Sequence, residues 1–140
     1  MTPTEVGLVK QTWSKLLPIK DTAAELFYGR LFELDPKIKP MFTHDMKEQG
    51  DKLMATLDVV VASLDKLDTA LPGARALAIR HVGYGVRPEH YDTVGAALLW
   101  ALEKGLGSAF TADVRNAWVA VYTTVSRVMK EAAYSMPARA

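Results

Sequence analysis

"ALAIRHVGYGV", residues 76–86, sets a histidine close to the end of a short helical run and then breaks the chain with two glycines. Leu77 and Ala74 precede His81 by one and two turns, so in a helix the imidazole shares their apolar face. A ring with two nitrogen atoms is thereby aimed at the core. Two uses compete for it. A core histidine ordinarily hydrogen-bonds a nearby carbonyl and does nothing further. A neutral imidazole also ligates metals, given an orienting partner for its second nitrogen and room for the ion. The neighbouring sequence has to decide between them.

Outward from that stretch the pattern is helical almost throughout. "TPTE", residues 2–5, fits a capping box, with Thr2 as cap, Pro3 in the first helical position and Glu5 closing it. Val6, Val9, Trp13, Leu16 and Leu17 follow at helical spacing until Pro18. A second helix carries Ala24, Phe27, Tyr28 and Leu31 on one side and ends near Asp35–Pro36, which cap and start a short turn. "THDMKEQGD", residues 43–51, reads as polar and irregular. Leu53, Leu57, Val60, Val61, Leu64 and Leu67 form the next stripe. After the segment bearing His81, one helix runs from about Tyr91 with Val94, Leu98 and Leu102 inward. The last is capped by Thr111 and carries Val114, Trp118, Val121, Tyr122, Val125 and Met129. No run alternates with period two, so the expected class is all-α, with about six or seven helices.

Composition bounds the function. A chain of 140 residues is long enough for one domain that buries roughly two thirds of its unfolded surface. The formal charge of +1 supplies no general field for nucleic acid or an anionic membrane. The absence of cysteine removes disulfides, thiolate metal sites and a cysteine nucleophile. Met1 opens directly onto polar sequence with no apolar signal core, and no apolar run is long enough to span a bilayer; a cytoplasmic location is expected.

A protein-only metal site around His81 is disfavoured, because neither His44 nor His90 stands three or four residues from it and zinc needs three or four ligands. Haem iron needs only one histidine, since the porphyrin fills four positions. It also needs a flat apolar slot, cations for its propionates and a polar group facing the histidine. Phe27, Phe32, Phe42, Leu53, Leu57, Val86, Val94 and Leu98 are suitable walls; Lys52, Arg80 and Arg87 suitable cations; Tyr28 and Gln49 suitable polar groups. Each also has a plain reading as core, solvated surface or helix start, and composition does not choose.

Order and spacing add a resemblance. "LFYGRLFELDPKIKPMF" (26–42), "KEQGDKLM" (47–54), "IRHVGYGV" (79–86) and "HYDTVGAALLWALEKGLGSAFTADVRNAWVAVY" (90–122) together resemble the globin family, above all single-domain bacterial haemoglobins, flavohaemoglobin haem domains and neuroglobin-like proteins. The resemblance implies a globin fold around a haem pocket, one domain over residues 1–140, and a flexible tail from about residue 134. It implies haem b with His81 as the proximal iron ligand and Phe42 wedged against the ring. Gln49 falls on the distal position, Leu53 lies one turn further along to press on the ligand, and Tyr28 matches the distal tyrosine of the bacterial group. Lys52 and Arg80 fall to the propionates; Val86, Val94 and Leu98 to the slot. Tyr91 matches the proximal tyrosine of flavohaemoglobins. The glutamate that accompanies it there falls on Ala133, with Glu131 two residues away, so the proximal network departs from that pattern.

The implied function is tight, slowly released O2, with CO and NO as other ligands, in a monomer or weak homodimer. NO dioxygenation is the alternative; it requires a separate reductase, because a flavin and nicotinamide domain does not fit within these residues. A haem-based gas sensor and a haem-free helical interaction module are further alternatives.

Overall fold

The computed structural model describes residues 2–41, 45–64 and 88–134. Helix α1, Pro3–Leu16, starts as its sequence dictates: Thr2 Oγ1 accepts from the Glu5 amide at 3.1 Å and Glu5 Oε1 accepts from the Thr2 amide at 2.8 Å. Two otherwise orphaned donors are satisfied reciprocally. Pro18 tightens the chain into a short 3-10 turn, Leu17–Ile19, and α2, Lys20–Leu34, follows directly. At its end the Asp35 carboxylate accepts from the Lys37 amide at 3.2 Å and opens a second 3-10 segment, Pro36–Met41, anchored by buried Ile38.

Helix α3, Met46–Ala62, corrects the sequence reading. The stretch expected to be irregular already winds into this helix, because Asp45 caps it, its carboxylate accepting from the Glu48 amide at 3.3 Å. An exposed first turn needs no apolar residues, and a Lys47–Asp51 pair one turn apart at 3.6 Å supports it. Helix α4, Pro88–Leu106, begins on a proline, the residue suited to a first helical position, and gives way to Gly107 at φ +57°. Helix α5, Ala112–Tyr134, is capped by Thr111, whose hydroxyl accepts from the Val114 amide at 3.2 Å.

Packing follows the stripes. Helix α2 lies along α4, α1 along α5, and α3 closes against α2 and α1. Val9, Leu31, Ala97, Leu102 and Ala117 have essentially no exposure and mark the centre. Trp13 and Trp118 meet there, ring centroids 6.2 Å apart and planes inclined by 53°. Both indole N–H groups are satisfied: Trp13 Nε1 donates to Asp58 Oδ1 at 2.8 Å and Trp118 Nε1 to Thr12 Oγ1 at 2.9 Å. Thr12 donates in turn to the Leu8 carbonyl at 2.8 Å, so each polar group of this chain has a partner. The described residues contain helices and no strand, and the fold is all-α. The segment with His81 lies outside the described residues.

Candidate functional site

Four helices converge on one narrow apolar crevice. Trp13 and Leu16 of α1, Ala23 and Phe27 of α2, Leu53, Met54 and Leu57 of α3, and Leu98, Ala101 and Leu102 of α4 line it. At its α2–α3 side two small residues bring the helices close: a Cβ built on Gly50 would lie 3.1 Å from the Ala24 Cβ. Tyr28 stands one turn after Ala24 and Gln49 just before Gly50, so this close approach carries Tyr28 to Gln49. The Tyr28 hydroxyl donates to the Gln49 backbone carbonyl at 3.3 Å. Its ring meets Phe27 edge-on at 5.0 Å and stacks on Phe32, one turn away, at 6.0 Å.

Burial raises the Tyr28 pKa from 10.0 to about 12, because the phenolate would lose its hydration. At neutral pH the side chain is therefore a protonated donor among apolar neighbours. The hydrogen bond it makes is long for an O–H···O contact, whose usual range is about 2.5–3.0 Å. The resemblance assigns Gln49 and Tyr28 to one side of a pocket; in the structure the hydroxyl meets the Gln49 main-chain carbonyl.

Leu53 is half-buried with Leu57 and Val60 on α3, as is Val94 on α4, and all pack against the core. Leu98 is buried and shares the crevice with Leu53. Leu53, Leu57, Val60 and Val94 are apolar and incompletely covered, as the wall of a slot for a flat apolar group has to be, while the crevice itself encloses only about 10 Å³. Lys52 is exposed on α3, able to reach a carboxylate at the surface. Phe42, Arg80, His81 and Val86 lie outside the described residues, as do His44 and Arg87.

Tyr91, expected on the opposite side, is buried near the start of α4, and its carbonyl accepts from the Tyr122 hydroxyl at 2.5 Å. Gly95 makes that bond possible, since a Cβ there would lie 2.7 Å from Tyr122 Cε2. Desolvation, followed by the nearby Tyr91 and Asp92, pushes the Tyr122 pKa far upward, so this hydroxyl also stays protonated. Glu131 is exposed. Sequence reasoning missed Met54, which is better covered than the Leu53 and Leu57 that the stripe favoured, and the partnership of Trp13 with Asp58. An aspartate forty-five residues away leaves no local signal for such a bond.

Residues 25–129 match the family model described as Globin, three quarters of the chain. The chain belongs to the globin family. A flavohemoprotein of Xylella fastidiosa is 35% identical over 134 residues, spanning 92% of this globin and 33% of the relative, so the chain covers about a third of that protein's length. A neuroglobin of Danio rerio is 30% identical over 137 residues, covering 88% of this globin and 86% of the relative. Among solved structures, a bacterial globin from Campylobacter jejuni superposes with a TM-score of 0.84 at 25% identity, over 96% of this globin and 98% of that chain. An engineered carbene transferase from Rhodothermus marinus gives 0.88 over 99% and 96%; at 22% identity it supports the fold alone. No described helix of this globin is long and apolar enough to cross a membrane.

Proposed function

We propose that this globin binds haem b through His81 and uses Tyr28 and Gln49 to hold O2 tightly and release it slowly. The observation that carries the reading is the buried, protonated Tyr28 hydroxyl held against α3 at the Gln49 carbonyl, in a chain of the globin family. When bound, haem supplies an iron whose open position takes O2, CO or NO. Leu53, Leu57, Val94 and Leu98 supply the apolar walls, with Phe42 and Val86 assigned to the remainder, and Lys52 and Arg80 assigned to the propionates. Tyr91 takes the proximal side with His81.

The Tyr28 hydroxyl, whose bond to the Gln49 carbonyl is long at 3.3 Å, is the donor that would turn to a polar ligand. It would favour an O2 held there over CO, because O2 would carry more negative charge for the donor to meet. The Gln49 amide offers a second donor, or a partner that orients the first. Each bond contributes about 1 kcal/mol or somewhat more in a dry pocket. Two together slow O2 escape by roughly one to two orders of magnitude, at about 1.4 kcal/mol per factor of ten.

The relation to flavohemoproteins favours NO dioxygenation as the second reading, with electrons from a separate reductase. Turnover with an added reductase separates it from simple binding. A cytoplasmic setting suits both readings.

The first test is the absorption spectrum of haem-loaded protein, with and without His81→Ala; unchanged spectra in the variant would remove the ligand assignment. The second is the O2 dissociation rate. Tyr28→Phe should raise it about tenfold, the worth of a hydrogen bond of about 1.4 kcal/mol. In the native protein the rate should stay flat across neutral and mildly alkaline pH, because Tyr28 ionises only toward about 12.

A further inference from the structure

Nothing inside the fold requires Gly29 to be a glycine. It lies in the interior of α2, where glycine costs stability relative to alanine, and its φ is not positive. A Cβ built on it meets nothing within 4 Å. Gly50, Gly95 and Gly105 differ, since a Cβ there would lie 3.1, 2.7 and 2.8 Å from a neighbour, and Gly107 turns the chain at φ +57°. Gly7 is equally open but lines no groove described here. Gly29 opens onto a surface groove between α2 and α4 of about 270 Å³, against about 10 Å³ for the buried crevice. Leu26 and the Trp100 indole, both half-buried, form its apolar wall. Glu25 and Glu33 stand one turn to either side of Gly29, and both are exposed.

The Trp100 ring also gathers more hydrogen-bond donors than acceptors. The Arg30 guanidinium lies 5.4 Å and the Lys104 ammonium 5.7 Å from the ring. Glu33 accepts from one Arg30 nitrogen at 3.3 Å. Among the described residues nothing accepts from the Trp100 N–H, unlike the indoles of Trp13 and Trp118, and no carboxylate pairs with Lys104. Two like charges drawn to one ring repel each other, and an anion set between them reverses the sign of that interaction. The indole and the planar guanidinium both stack on flat rings. The bare backbone at Gly29 lets such a ring lie close against the helix.

We propose that the groove between α2 and α4 binds a flat aromatic ring carrying an anionic group, the chemistry shared by mononucleotides and aromatic carboxylic acids. The ring lies over Gly29 against Trp100 and Leu26, and the anion meets Arg30 and Lys104. Thr22 and Glu25, on the rim, serve hydroxyl or amino groups of the ligand. A ring without charge leaves the two cations unused, and a bare anion leaves the apolar wall uncovered, so both parts are needed. The site does not depend on the haem-binding reading.

Isothermal titration calorimetry of the full chain, with and without haemin, tests it with adenosine monophosphate, 2-naphthoate, adenosine and inorganic phosphate. At least one of the first two should saturate a single site per chain, and the tighter one names the source of the ligand. Adenosine and inorganic phosphate should bind about tenfold or more weakly than the better anion, each lacking one half of the recognition. Trp100→Leu and Lys104→Gln, at half-buried and exposed positions, should each weaken that binding severalfold. Gly29→Leu is the sharpest variant. It fills the floor of the groove and should abolish binding, yet raise the melting temperature, because leucine replaces a helix-interior glycine in open space. Lost binding in a more stable protein is an outcome that damage to the fold does not produce. No saturable binding of either anion, adenosine as tight as its monophosphate, or native binding in Gly29→Leu or Lys104→Gln would overturn the proposal.

Discussion

Between α1 and α5, Trp13 and Trp118 cover each other, Val9 and Ala117 have no exposure, and each indole N–H finds an acceptor within the chain. Between α2 and α3, Ala24 and Gly50 let the helices nearly touch, yet Leu53, Leu57 and Val60 remain half-buried and a tyrosine hydroxyl rests on a long bond to a carbonyl. Both regions are built from apolar residues at helical spacing. In the first, the chain itself supplies every surface that the stripe has to meet. In the second, part of the apolar area stays in contact with water and forgoes about 25 cal/mol for each square ångström left uncovered. A region that leaves that free energy unclaimed has it available for a bound group.

The sharpest way to break this contrast is to remove the ring at the closed interface. Trp118→Ala should cost about 3–5 kcal/mol, the usual price of truncating a large buried aromatic, and it strands the Thr12 hydroxyl's incoming bond as well. Chemical denaturation monitored by far-ultraviolet circular dichroism measures it, with or without haem. A loss no larger than that of an exposed substitution would mean that the α1–α5 interface does not dominate the stability of the haem-free fold.

The closed region was the more legible of the two in the sequence. A stripe such as Val114, Trp118, Val121 repeats at the helix period and needs only another stripe to face, and caps such as Thr2–Glu5 and Thr111 involve neighbours in the chain. Asp45 escaped notice because its helix opens with an exposed polar turn, where periodicity carries no information. At the open site, Tyr28 and Gln49 were legible as a pair only through the globin resemblance; their contact depends on Ala24 and Gly50, whose small size matters across helices and not along one. Trp13 with Asp58, and Tyr122 with the Tyr91 carbonyl, are pairings between distant segments, and no local pattern announces them.

A second test acts where α4 meets α5. Gly95→Ala would drive a methyl group to within 2.7 Å of the Tyr122 ring, which cannot swing aside without surrendering its bond to the Tyr91 carbonyl. Overpacking of this kind costs about 1–3 kcal/mol. Combining it with Tyr122→Leu should recover part of that loss, because the ring that the methyl group strikes is gone. Additive losses in the double-mutant cycle would show that the two residues do not meet as described, and that α4 is positioned by something other than this clamp.

The smallest effect is expected at the open site, and it bears most directly on the contrast. Leu53 is half-buried, so Leu53→Ala should cost the haem-free protein about 1 kcal/mol, well under the range of about 2–5 kcal/mol for a fully enclosed leucine such as Leu102. The order should change once haemin is added. A group seated against Leu53 stabilises the native protein by binding only its folded form, and the variant, with less apolar surface to offer it, should gain less and release haemin faster. Melting temperatures of both proteins across a haemin titration read this directly. A Leu53→Ala loss as large as that of Leu102→Ala without haemin would mean that the α2–α3 side is already a finished core; an equal haemin response in variant and native protein would mean that the bound group lies elsewhere. The contrast between a closed and an open half requires both a small cost without the ligand and a larger one with it.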